Sequence, residues 1–139
     1  RLTFIRLVSC FFLSFSSCSL AEIAVGRVFI DANQNGLLDS GEIGLPNVHI
    51  SDGTQVVLTN ERGRYEIAID PETLLFITKP KVYATPVNAH MLPQFYYIHQ
   101  PNGSPEGLSY QGIKLTGSLP GTIDFPLIPR PEQKRFEAL

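Results

Sequence analysis

The segment from Asp31 to Glu42 carries oxygen-bearing side chains at nearly every second position. Those side chains belong to Asp31, Asn33, Asn35, Asp39 and Glu42. Gly36 stands where a chain that wraps round an ion needs its sharpest turn. Because carboxylate and amide oxygens are hard ligands, the set suits Ca²⁺ better than Zn²⁺ or copper. The segment, called the 31–42 loop below, therefore indicates cation binding.

The spacing fits the twelve-residue EF-hand loop pattern at each diagnostic position. We predict a structural Ca²⁺ held by the five side chains named above and by the backbone carbonyl of Leu37. Asp39 would bind directly or through water, and Glu42 would close the site with both oxygens. The alternative is a hydrated turn that links two strands and holds no ion. Gly44-Leu45-Pro46 follows the loop, so no helix pair flanks it and a calcium-sensor role is not expected.

Other side chains give weaker evidence of a site. His49, His90 and His99 are scattered without ligand spacing, so we expect packing or surface roles for them. The run Phe95-Tyr96-Tyr97 fits either a binding face or a strand that buries one ring and half exposes its neighbour. The sequence has no Ser/His/Asp set, no paired-carboxylate constellation and no glycine-rich phosphate loop. We therefore expect no catalytic residues and no bound cofactor besides the Ca²⁺.

Short β-branched or aromatic runs alternate with turn residues along the chain. Strands are predicted at 25–30, 48–51, 55–59, 65–69, 74–78, 95–99 and 122–127. Their spacing, without any long amphipathic helix pattern, favours an all-β fold, namely an Ig-like or prealbumin-like antiparallel β-sandwich. Pro/Gly-rich loops are expected at 79–93 and 100–121.

Two short connections between these strands have recognisable turn chemistry. Asp52-Gly53 lies between two apolar runs and predicts a type I′ hairpin turn. The tetrapeptide Asn60-Glu61-Arg62-Gly63 predicts a second hairpin connection, because Gly63 can take a positive φ.

The first 21 residues resemble a targeting segment, with Arg1 and Arg6 before a short apolar run. Cleavage after Ala21 would leave residues 22–129 as a β-sandwich domain, followed by 130–139 as a linker. A lipoprotein signal ending before Cys18 is the alternative. Either route predicts a protein that is secreted or held in the periplasm or cell envelope, attached to the membrane only if lipidated at Cys18.

Net charge argues about possible partners, and cysteine content about disulfides. The leader holds two of the 11 basic residues and no acidic one, which leaves nine basic and 13 acidic residues, a net charge of −4. A mildly acidic surface argues against a nucleic-acid partner. Both cysteines, Cys10 and Cys18, lie in the leader, so the mature domain is expected to have no disulfide.

Several segments resemble known families. Gly26-Arg27-Val28-Phe29, the 31–42 loop and Gly63-Arg64-Tyr65 resemble the SdrD B / Cna B repeats of surface proteins, which implies an Ig-like sandwich with a calcium loop. Phe76-Ile77-Thr78-Lys79-Pro80 and Asp124-Phe125-Pro126-Leu127 resemble the N-terminal domain of secreted calcineurin-like phosphoesterases. That second resemblance implies an accessory sandwich that precedes a two-metal phosphatase domain.

The resemblance also defines what this chain lacks. The metal-ligand segments of such phosphatases, Asp-x-His, Gly-Asp-x-x-Asp and Gly-Asn-His-Asp/Glu, do not occur in the sequence. We therefore expect a non-catalytic domain whose partner is a catalytic domain on the same polypeptide. The alternatives are a stand-alone, calcium-stabilised surface or adhesive module and a carbohydrate-binding module that uses Phe95-Tyr96-Tyr97.

Overall fold

The computed structural model describes residues 20–103 and 116–130. Within these ranges the chain forms eight β-strands and no helix. Nothing in the described ranges therefore provides a helix that could span a membrane. Both cysteines, nearly all of the predicted leader and residues 131–139 lie outside the described residues, so the predictions on processing and on the linker stay predictions.

The strands form two four-stranded sheets. Sheet 1 has the order β4-β1-β8-β6, and sheet 2 has the order β3-β2-β5-β7. The strands are β1 Glu22–Ile30, β2 His49–Ser51, β3 Val56–Leu58, β4 Arg64–Ile69, β5 Thr73–Thr78, β6 Tyr83–Ala84, β7 Tyr96–His99 and β8 Phe125–Pro129.

All strand pairs are antiparallel except the pair formed by β1 and β8. These two strands run parallel, with Val28 opposite Phe125 and Ile30 opposite Leu127. The last strand is therefore placed inside sheet 1, between β1 and β6.

One apolar core lies between the two sheets. Period-two alternation sends every second side chain of each strand inward, because successive side chains of a strand point to opposite faces. The buried core residues are Ala24, Val28, Val48, Ile50, Tyr65, Ile67, Ile69, Leu75, Ile77, Ile123, Phe125 and Leu127. Since both sheets contribute to one cluster, the prediction of an all-β sandwich is confirmed.

Each predicted strand has an observed counterpart, with differences at the ends. The first strand begins at Glu22 rather than Val25, and the last occupies Phe125–Pro129 rather than 122–127. The two-residue strand Tyr83–Ala84 lies inside a segment predicted to be a loop, so that part of the prediction was wrong. This strand is defined by its pairing with β8, a contact that local sequence does not encode.

The two predicted turns differ from expectation in different ways. Asn60 and Gly63 do form a turn, in which Gly63 N–H donates to Asn60 O at 2.8 Å and Gly63 has φ 73°. That turn is not a hairpin, however, because it carries the chain from β3 in sheet 2 to β4 in sheet 1.

The predicted type I′ turn at Asp52-Gly53 was also wrong. Ser51 pairs with Val56, so four residues connect β2 and β3, and of the first two only Gly53 has a positive φ. Asp52 Oδ1 instead accepts backbone hydrogen bonds from Thr54 and Gln55, both at 2.8 Å. The side chain thus organises a longer connection.

Candidate functional site

The two ends of the 31–42 loop are fixed by backbone hydrogen bonds beside sheet 1. Ile30 N–H donates to Ile43 O at 2.8 Å, and Asp31 N–H donates to Leu127 O at 2.9 Å. Between these points the chain turns through positive φ at Gln34, Gly36 and Gly41, with φ 59°, 75° and 95°. The β1–β8 pairing therefore holds the base of the loop, and backbone conformation shapes its tip.

Asp31 lies at the centre of the loop's hydrogen bonding. Its side chain is 0% exposed, and a buried carboxylate of this kind is rare unless it is paired with other groups. Oδ2 accepts from Gly36 N–H at 2.8 Å and Oδ1 from Asn35 N–H at 3.2 Å. The first predicted ligand is therefore buried and draws the glycine turn towards itself.

Asn33 and Asn35 converge on one oxygen of Asp39. Asn33 Nδ2 donates to Asp39 Oδ2 at 2.8 Å, and Asn35 Nδ2 donates to the same oxygen at 2.7 Å. Hydrogen bonds from the Asn33 side chain, and then from Asn35, lower the pKa of the Asp39 carboxyl, because they stabilise its ionised form. Asp39 is thus kept as an anion among three predicted ligands.

Glu42 joins the beginning of the loop to its end. Oε1 accepts from Ala32 N–H at 3.1 Å, and Oε2 accepts from Asp39 N–H at 3.0 Å. Both oxygens of the residue predicted to clamp the ion therefore point into the loop. Leu37 takes part through its N–H, which donates to Asn35 Oδ1 at 2.8 Å, while its side chain is exposed.

The donor set fits a hard divalent cation, but its present contacts are internal. The loop carries three carboxylates and two carboxamides, which is oxygen chemistry of the kind Ca²⁺ takes. In the described ranges, no three His, Cys, Asp or Glu side chains are grouped closely enough to hold a metal ion. Backbone N–H groups occupy Asp31 and Glu42, and carboxamide N–H groups occupy Asp39.

The tip of the loop also lines two cavities that reach the outer side of sheet 1. One, of about 420 Å³, is lined by Gln34, Asn35 and Gly36 together with Pro126 and residues of the 86–97 segment. The other, of about 720 Å³, is lined by Leu38 together with Arg27 and Arg64. The tip of the loop therefore lines cavities together with residues of both sheets, including Leu58 of β3 and Tyr96 of β7.

The histidines do not form a site. His49 and His90 are exposed, whereas His99 is 1% exposed at the end of β7. Glu22 Oε2 lies 3.3 Å from His99 Nε2, which is within ion-pair distance, while neither ring nitrogen of His99 makes a hydrogen bond. This contact joins sheet 1 to sheet 2.

The aromatic run agrees with the second of its two readings. Tyr97 is half buried against the core, while Phe95 and Tyr96 are 37% and 36% exposed and make an edge-to-face contact at 5.2 Å. Burial raises the pKa of the Tyr97 hydroxyl, with a hydrogen bond to Thr116 opposing and the Glu22 charge adding to the effect. Tyr97 is thus a packing residue.

Sequence reasoning missed Asp124. Its Oδ1 accepts from Arg27 N–H at 2.9 Å and its Oδ2 from the Thr122 hydroxyl at 3.1 Å, which fastens the approach to β8 onto β1. Next to it, Tyr65 OH donates to Ile123 O at 2.6 Å. Burial, and then the Asp124 charge, raise the pKa of Tyr65 above its ordinary range, so this hydroxyl keeps its proton. No local signal marks the hydrogen bond with Arg27, because the two residues are 97 positions apart.

Comparison with known families identifies the domain. The family model described as the N terminal of calcineurin-like phosphoesterase matches residues 32–115, which is more than half of the chain. The chain belongs to this family. No curated protein is similar enough to count as a match.

Membership in the phosphoesterase N-terminal family defines the role of the chain at a coarse level. The matched region begins within the 31–42 loop and includes strands β2 to β7. The domain is thus the N-terminal part of a phosphoesterase rather than its catalytic part, and in this family it is paired with a catalytic domain.

Proposed function

We propose that the chain is a non-catalytic accessory domain of an exported calcineurin-like metallophosphoesterase, and that a structural Ca²⁺ stabilises its 31–42 loop. The observation that carries the proposal is the family match over residues 32–115. The sequence supports the non-catalytic part, because the two-metal ligand segments of such enzymes do not occur in it.

The accessory role has a direct test. The gene that encodes this chain should continue beyond Leu139 into a domain with Asp-x-His and Gly-Asn-His segments. The purified chain alone should not hydrolyse a generic phosphodiester or phosphomonoester, with or without added divalent metal. Metal-dependent turnover that follows the protein through repeated purification would overturn the proposal.

The calcium part rests on the EF-hand spacing of the oxygen-bearing side chains and on the hydrogen-bonded network that they form in the loop. Asp31, Asp39 and Glu42 would supply negative oxygens, and Asn33 and Asn35 neutral ones. Since both carboxamides now direct Nδ2 towards Asp39, rotation of each amide would turn its oxygen to that side instead. Ca²⁺ supplies the positive charge that offsets three carboxylates.

Thermal unfolding tests the calcium part. If Ca²⁺ binds the folded state alone, a concentration of 100 times the dissociation constant adds about 2.7 kcal/mol to the free energy of unfolding. Glu42→Gln should lose most of this gain, because a neutral amide cannot clamp the ion with two negative oxygens. Asp70→Asn is the matched control, since Asp70 is exposed and lies outside the loop.

The measurement compares the three proteins in excess EDTA and in millimolar Ca²⁺. We expect an upward shift of the midpoint for wild type and for the control, and little shift for Glu42→Gln. If wild type shows no calcium-dependent shift, or if Glu42→Gln keeps the whole shift, the loop is a hydrated turn.

Export is tested by the intact mass of the product made in its native host. Cleavage after Ala21 gives a protein that begins with Glu22, whereas lipoprotein processing gives one that begins with a lipidated Cys18. A product that remains in the cytoplasm with its leader attached would contradict both routes.

A further inference from the structure

The outer side of sheet 2 exposes apolar side chains from three of its four strands. The register places Val56, Ser51, Phe76 and Tyr96 in one row across the whole sheet. Leu58 lies in a second row, beside the exposed polar residues His49 and Thr78, and Leu74 with Ile98 lies in a third. The apolar members, called the sheet 2 outer patch below, are Val56, Leu58, Leu74, Phe76, Tyr96 and Ile98.

These side chains are exposed, apart from the half-buried Phe76, although their neighbours form the core. Val56 is 59% exposed, Leu74 is 47% exposed and Ile98 is 36% exposed. The intervening residues Val57, Leu75 and Tyr97 point inward and pack in the core. An antiparallel sheet with one solvated face ordinarily alternates apolar and polar residues. Here β3, β5 and β7 carry apolar residues on both sides, which is typical of a sheet that is covered on both faces.

The size of the patch indicates what kind of partner covers it. With strands about 4.8 Å apart and same-side residues about 6.8 Å apart, three rows cover roughly 200–300 Å². A stable interface between separate molecules buries about 800 Å² on each partner. A patch of this size is better suited to a tethered domain, because the linker gives its partner a high effective concentration.

The exit of the chain from the sandwich is compatible with such a contact. β8 ends at Pro129, and Arg130 N–H donates to Val82 O at 3.0 Å near β6, the edge strand of sheet 1. Stacked sheets lie about 10 Å apart, and a chain spans up to about 3.5 Å per residue. A linker of a few residues after Arg130 is therefore long enough to pass round the edge to sheet 2.

We propose that the sheet 2 outer patch is the surface on which the phosphoesterase catalytic domain of the same polypeptide docks, through an apolar patch of its own. This inference rests on the proposed accessory function and specifies the face that performs it. It predicts that Val56, Leu58 and Leu74 are covered in the full-length protein, while exposed residues of sheet 1 stay accessible.

Cysteine labelling of the full-length protein tests the proposal. Val56→Cys reports on the patch, and Ile23→Cys is its matched control, because Ile23 is also 59% exposed but lies in β1 of sheet 1. The rate of maleimide labelling at each cysteine is measured by mass spectrometry of the peptide that contains it. This rate is then divided by the labelling rate of the same cysteine in urea. Val56→Cys should react at least about tenfold more slowly than Ile23→Cys, a difference of about 1.4 kcal/mol.

A second substitution tests whether the protection of Val56→Cys depends on docking. Adding Leu74→Lys to the Val56→Cys protein should restore labelling to the rate of the Ile23→Cys control, because a buried ammonium group opposes docking. Equal rates for the two single variants would overturn the inference. So would protection that disappears on dilution, which would assign the patch to a second copy of the chain.

Failure of this inference is distinguishable from failure of the accessory function. If the reading frame beyond Leu139 encodes no phosphoesterase domain, the proposed function fails and the patch has no tethered partner. If it does encode one and Val56→Cys remains fully reactive, the accessory function stands and the docking face is elsewhere.

Discussion

The two sheets share one core but have very different outer sides. Sheet 1 carries charged residues on its outer side, with Arg27 opposite Arg64 and Glu66 two residues further along β4, next to the exposed apolar residues Ile23 and Val25. Phe29 and Pro126, which point the same way, are already buried by the domain itself. The sheet 2 outer patch, by contrast, is apolar and exposed.

The outer sides of the two sheets also differ in what lies next to them. The 31–42 loop lines cavities with Arg27 and Pro126 of sheet 1. Phe29 and Pro126 of this sheet are thus buried by the domain itself, whereas Ile23 stays exposed. On sheet 2, in the part of the chain that the structure describes, Val56, Leu74 and Ile98 stay exposed.

The largest predicted effect on stability concerns two neighbouring residues that lie on opposite sides of β5. Leu75 is fully buried and Leu74 is 47% exposed, although they are neighbours in β5. Leu75→Ala should lower the free energy of unfolding by about 2–5 kcal/mol, because it removes buried methyl groups and leaves a cavity. Leu74→Ala should cost less than about 1 kcal/mol in this chain. Urea unfolding of both variants measures the difference, and similar losses would show that the patch is already packed within the domain.

A smaller effect on stability is expected at the β2–β3 connection of sheet 2, where the Asp52 carboxylate accepts several hydrogen bonds. Burial opposes ionisation of Asp52, but hydrogen bonds from Gln55 and Thr54 outweigh it and lower its pKa from 3.8 to about 2. Because the pKa in the folded state is lowered, the stabilisation is complete above pH 4 and is lost as the pH falls towards 2.

Asp52→Asn should therefore remove about 1 kcal/mol of stability at neutral pH, an amount reduced by the contact of the turn with water. The variant should also lose the part of the stability change that wild type shows between pH 4 and 2. Urea unfolding at a series of pH values checks both points, with Asp70→Asn as control. Parallel pH curves for wild type and Asp52→Asn would contradict the assignment.

The smallest effect concerns the charged side of sheet 1. Arg27 and Arg64 lie directly opposite each other, and like charges in that position destabilise a strand pair. Arg64→Glu should raise the free energy of unfolding by about 0.5 kcal/mol at low salt, with the gain decreasing as NaCl is added. Arg62→Glu in the neighbouring turn is the control for net charge. If both substitutions have the same effect, the cross-strand pair is not its cause.

Local sequence was sufficient to predict features that depend on the residue pattern of one segment alone. Tyr65, Ile67 and Ile69 alternate with polar or small residues, and the strand Arg64–Ile69 begins one residue before the predicted 65–69. The 31–42 loop likewise brings its five predicted side chains into one hydrogen-bonded network, although that network leaves ion binding untested.

Features that depend on distant residues could not be predicted in the same way. The turn at Asn60 was recognised, but whether β4 follows β3 into the same sheet depends on where β1 lies. The pairing of β1 with β8 and the clasp between Arg27 and Asp124 join residues 97 positions apart. Nothing in either segment alone specifies the other.

The position of β8 has a consequence for the synthesis of the domain. Because the last strand lies between β1 and β6, the middle of sheet 1 is missing until Phe125–Pro129 have left the ribosome. Before that moment β1 has β4 on one side and an open edge on the other, and half of the core has no cover. Folding dominated by such distant contacts is slow, since a long loop must close first. Sheet 1 therefore cannot be completed until almost all of the domain has been made.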